Sequence, residues 1–68
     1  MNEGLREKVK EMRVFAKERA DLLKYMTPLE VGLYDLGTIH YLRTSKEYEK
    51  EDINMLFDFY IRKSLEFL

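Results

Sequence analysis

The chain reads as an all-α three-helix bundle, a helical hairpin followed by a C-terminal helix. Three observations predict this. Apolar residues recur at steps of three and four along most of the 68 residues. The only proline, Pro28, follows Thr27 and divides that pattern in two. No segment shows the apolar-polar alternation of a strand.

The first helix is expected over about 3–25. Leu5, Val9, Met12, Ala16, Leu23 and Met26 form its apolar stripe, widened by Phe15, Ala20 and Leu22. It must stop at Thr27-Pro28, because proline lacks the N–H that a helix interior needs yet suits a first turn. A second helix, over about 28–43, therefore starts there. Thr27 as N-cap and Glu30 three residues on form a capping box, and Met26 can close over Val31 as a hydrophobic staple. Thr44, Ser45 and the charges after them read as a loop. The third helix is expected over about 50–67. Glu49 is a weak N-cap, Tyr48 can staple onto Ile53, and Glu51 and Asp52 suit the positive end of the helix dipole. Its stripe contains Ile53, Leu56, Phe57, Tyr60, Ile61, Leu65 and Leu68, with Ser64 in line.

Composition bounds what such a bundle can be. With 46% hydrophobic and 37% charged residues and a net charge of −1, the chain should fold as one domain, and it is neither a polycation nor a polyanion. It has no cysteine and one histidine, so neither disulfides nor a zinc cluster can staple a thin core. Packing or oligomerisation must supply the stability, and no cofactor is expected. The opening MNEGLREKVK is charged from its third residue, which argues against a secretory signal or a membrane span and for a cytoplasmic protein. Abundant Lys, Arg and Glu without glutamine or cysteine give a heat-adapted bias.

The second helix is apolar on two sides. Leu29, Leu33, Leu36, Ile39 and His40 occupy one, while Val31, Tyr34, Tyr41 and Leu42 occupy the other. Helices one and three can cover one face only. The expectation is that the Leu29 face joins the core, His40 included, and that Val31, Tyr34, Tyr41 and Leu42 are shielded by another subunit or a larger partner. Gly32 and Gly37, unfavourable in a helix interior, point to close approach of another backbone. Met55 and Phe59, one turn apart on the polar side of helix three, would extend this partner interface. A homodimer is the expected assembly.

Charge supplies a second candidate surface. Arg6, Lys10, Arg13, Lys17 and Lys24 fall within a wedge about 60° wide on helix one, a line that could follow a phosphate backbone or meet an acidic partner. Residues 1–26 carry seven Lys or Arg against five acids, whereas 44–68 carry four against six. The acidic cluster Glu47, Glu49, Glu51 and Asp52 lacks the ligand spacing and central glycine of a calcium loop, so helix-dipole complementation explains it.

The L-x-x-F-Y spacing of Leu56, Phe59 and Tyr60 resembles the core of sliding-clamp-binding peptides, over Ile53 to Tyr60 and with Ile53 in place of the usual glutamine. That resemblance implies docking on a replication complex. No phosphate loop, nucleophile elbow or paired nucleophile and base is present, and a lone His40 cannot build a metal site. The expected function is thus non-enzymatic: a small regulator or adaptor acting through apolar helix faces. The alternatives are nucleic-acid binding along helix one, or an accessory subunit of a larger complex.

Overall fold

The computed structural model describes residues 3–45 and 48–68. Three helices make up the fold: α1 Glu3–Tyr25, α2 Pro28–Arg43 and α3 Lys50–Glu66. The capping box forms as its residue types demand. Glu30 N–H donates to Thr27 Oγ1 at 3.3 Å, and Thr27 N–H donates back to Glu30 Oε1 at 3.0 Å. Glu49 precedes α3 without a side-chain cap bond. Every helical backbone is free of positive φ, so neither Gly32 nor Gly37 is there for a left-handed turn.

Two sets of contacts fix the topology. Tyr48 Oη donates to the carbonyl of Gly4 and Arg19 Nη1 donates to Ser64 Oγ, pairs separated by 44 and 45 residues. A constant offset means that α3 runs parallel to α1. Glu18 pairs with Tyr34 and Glu11 with Tyr41, so as one index rises by seven the other falls by seven. That relation makes α2 antiparallel to α1. The result is an up-down-up bundle of 35 × 20 × 14 Å.

The core lies chiefly between α1 and α3. Leu5, Met12 and Ala16 from α1 meet Leu56 and Tyr60 from α3, and α2 contributes only Leu42 to this cluster. Small Ala16, Ala20 and Ser64 are all buried, which lets the parallel helices approach closely. In a body this thin an element can be covered on one side only. The side of α2 that is covered decides what the molecule presents to its surroundings.

Candidate protein-interaction surface

The covered side of α2 is set by polar partners. Val31, Asp35, Thr38 and Leu42 follow one another at helical spacing and face α1 and α3; Val31 and Leu42 are 4% and 0% exposed. Asp35 sits between them, and a carboxylate there must be compensated. Arg19 of α1 clamps it, with Nε at 2.9 Å from Oδ1 and Nη2 at 3.0 Å from Oδ2. Tyr60 of α3 donates its hydroxyl to Oδ1 at 2.5 Å. Arg19 Nη1 also donates to Ser64 Oγ at 2.8 Å, and Ser64 Oγ donates in turn to the carbonyl of Ile61 at 2.6 Å. One carboxylate therefore ties all three helices together. Among the described residues no buried side-chain polar atom lacks a partner.

The flank of α2 towards α1 repeats the device with tyrosines. Tyr34 donates to Glu18 at 2.8 Å, while Tyr41 donates to Glu11 and accepts from Lys8 Nζ at 2.8 Å. Lys8 also lies 4.6 Å from the centre of the Tyr41 ring, and Phe15 meets that ring edge-on at 6.0 Å. Burial alone would pull the Lys8 ammonium down, but hydrogen bonds to Tyr41 and Glu11 outweigh it and the net shift is upward. The Arg19 guanidinium is likewise shifted upward, first by its hydrogen bond to Asp35.

The opposite side of α2 is open. Leu29, Leu33 and Leu36 are 75%, 60% and 64% exposed, and His40, next along the same line, is exposed as well. This inverts the expectation from sequence. Val31 and Leu42 are buried, Tyr34 is half-buried against α1, and Tyr41 bonds to α1 with 40% of its surface still exposed, so the open leucine line is not the face these four make. His40 is a surface residue and not a core one. The reason is chemical: the Arg19 guanidinium of α1 and the Tyr60 hydroxyl of α3 donate to a carboxylate, and α2 supplies it as Asp35 on its Val31 side.

Gly32 and Gly37 flank the open leucine line. A Cβ built at either would meet nothing within 4 Å, so no helix of this chain makes the close approach predicted there. Each glycine borders a shallow cleft. One, of about 310 Å³, is lined by Phe15, Tyr34, Gly37, Thr38 and Tyr41; the other, of about 270 Å³, runs past Leu23, Met26, Val31 and Gly32 to the Arg19–Asp35 pair. The outward surface of α2 is a leucine ridge with a hollow on each side.

The remaining candidate residues fall as follows. Met55 is exposed, but Phe59 is drawn half into the core, which leaves little of the expected patch on α3. Leu56 and Tyr60 are fully buried, so the residues resembling a sliding-clamp peptide are occupied by the chain's own core. Arg6, Lys10, Arg13, Lys17 and Lys24 are all exposed along α1. Lys10 reaches Glu7 at 3.5 Å and Lys24 reaches Asp21 at 3.9 Å, while Arg6, Arg13 and Lys17 form no ion pair among the described residues. Glu47 of the acidic cluster lies outside the described residues; Glu51 and Asp52 occupy the first turn of α3. Among the described residues no three His, Asp or Glu converge on a metal-sized site, and no helix is long and apolar enough to cross a membrane.

No protein family, curated protein or solved structure matches this chain.

Proposed function

We propose that the protein acts by binding another protein through the outward face of α2, as a small adaptor or regulator and not as an enzyme. The observation that carries this is the exposure of Leu29, Leu33 and Leu36 on a single line. An uninterrupted apolar ridge in water is unfavourable, and on soluble proteins such patches mark interaction sites. The ionisable groups of the interior fit the reading as well: Arg19, Asp35 and Tyr60 bind one another and tie the helices together, so these three are committed to the fold.

The test compares tagged native chain with tagged Leu33→Glu as bait in extracts of the source cell, by quantitative mass spectrometry. Recovery of a protein, this chain itself included, that falls at least about tenfold on the variant is expected. Identical recoveries on both baits would remove the reading.

A second reading rests on a separate observation. Five exposed cations line α1, and three of them have no carboxylate partner among the described residues. From Arg6 to Lys24 they span about 27 Å, long enough to follow several phosphates of a nucleic-acid strand. Titration of duplex and single-stranded DNA and RNA should then show binding near 50 mM salt that weakens steeply towards about 200 mM. Absence of binding at the lower salt ends this alternative.

A further inference from the structure

We propose that the occupant of the α2 face is a second copy of the chain, docked with its α2 antiparallel to the first about a two-fold axis passing between Leu33 and Leu36. The proposal rests on the reading of this face as the working surface and adds the partner and the geometry. Leu29, Leu33, Leu36 and His40 advance by four, three and four residues, the repeat of a seam between two helices. None of the four is used by the subunit's own core.

Shape favours a helix as the occupant. The leucine ridge runs between two hollows floored by Gly37 and Gly32, where nothing stands within 4 Å of an added Cβ. Helices pack by setting the ridge of one into the groove of the other, and a surface carrying both is complementary to itself. With the axis between Leu33 and Leu36, Leu33 meets the second copy's Leu36 and Leu29 comes level with the second copy's His40.

Charge favours a copy, and an antiparallel one. The α2 helix is acidic at its start, with Glu30, and basic at its end, with His40 and Arg43. Between Glu30 and Arg43 its only other ionisable residues are Tyr34, Asp35 and Tyr41, all engaged with α1 or α3. Reversing a second α2 brings each acidic end over a basic end and opposes the helix dipoles, whereas a parallel pair would stack like ends and set His40 on His40.

Exposure favours it too: the three leucines, His40 and the neighbouring Tyr25 and Met26 are all exposed, a surface of the order that a reversible interface uses, at or below the ~800 Å² that each partner gives to a standard one. A reversible dimer of moderate affinity is the expected form.

Sedimentation equilibrium and engineered cross-links test this together. The native chain should sediment as a dimer at about 100 µM, a concentration well above the Kd of ordinary specific complexes. Leu33→Glu should be monomeric with unchanged far-ultraviolet circular dichroism, since the residue is 60% exposed and lies outside the buried cluster. His40→Leu should tighten the dimer at least about tenfold by completing the seam. The chain has no cysteine of its own. Mixed Leu29→Cys and His40→Cys chains should therefore form the mixed disulfide in preference to either self-linked product. A monomeric native chain, or a dimer that Leu33→Glu leaves intact, overturns the proposal; so does preferential self-linking of Leu29→Cys, which would mean a parallel pair. If the native chain is monomeric, the bait comparison above still decides whether a different protein occupies the ridge.

Discussion

Asp35 is the residue on which the orientation of α2 depends. Its carboxylate receives Arg19 from α1 and Tyr60 from α3, and both ions of the pair are largely shielded from water. Removing one partner strands a buried charge, which typically costs about 3–5 kcal/mol, as much as a domain of this size can lose. Arg19→Met is accordingly expected to unfold the chain or lower its melting temperature by more than about 15 °C. The double variant Arg19→Met/Asp35→Leu, with both charges replaced by apolar groups, should recover much of that loss. If Arg19→Met alone melts like the native chain in a calorimeter, the clamp is ornamental. Tyr34 permits a second residue-scale prediction. Burial, and then its hydrogen bond to Glu18, push its phenol up to about 12, against about 10 in an unfolded chain. The fold thus favours the protonated form: that contribution is complete below pH ~10 and is lost as pH rises through ~12. Tyr60 shifts the same way, by burial first and the bond to Asp35 second. Tyr34→Phe should remove a late-titrating phenolate from the ultraviolet titration; an unaltered curve would contradict the assignment.

At the scale of the element, α2 carries features of opposite effect. The Thr27–Glu30 capping box stabilises its start. Thr27→Ala should cost about 1 kcal/mol, read as a drop in denaturant midpoint at unchanged slope. The Thr27 backbone N–H, and then its hydroxyl, hold the Glu30 carboxyl below its ordinary range, so this part of the stability is present above pH ~4.5 and fades as the solution is made more acid. Gly32 and Gly37 act in the other direction. With helical backbone and open space at both, Gly32→Ala and Gly37→Ala should each raise the stability of the Leu33→Glu monomer by about 0.5–1 kcal/mol. A loss of stability in that background would show that the glycines serve the subunit itself.

For the molecule as a whole, the division of the core predicts a division of dynamics. The α1–α3 pair holds five of the six residues of the main buried cluster, while α2 supplies Leu42 to it and is otherwise attached through Val31, Thr38 and polar ties along one side. In the Leu33→Glu monomer, amides of α2 should exchange with deuterium at lower opening free energy than those in the middle of α1 and α3. Equal protection of all three helices would mean that the polar ties are as cooperative as the core. A second copy on the ridge would add the missing side, which is the physical connection between the lopsided core and the proposed dimer.

The sequence by itself determined the three helices, the break at Thr27-Pro28, the capping box and the stripes of α1 and α3, because these depend on neighbours within a few residues. It also located two apolar faces on α2. Which of them turns inward was a tertiary decision. The Leu29 face carries the more continuous apolar line, yet the Val31 face carries Asp35, whose carboxylate accepts from Arg19 of α1 and Tyr60 of α3. A readable clue was present: an arginine within the core stripe of α1 demands an acid opposite. Periodicity reports how apolar residues are distributed around an axis, whereas the need to satisfy buried charge reports which side of that axis must face its neighbours, and here the second requirement prevailed.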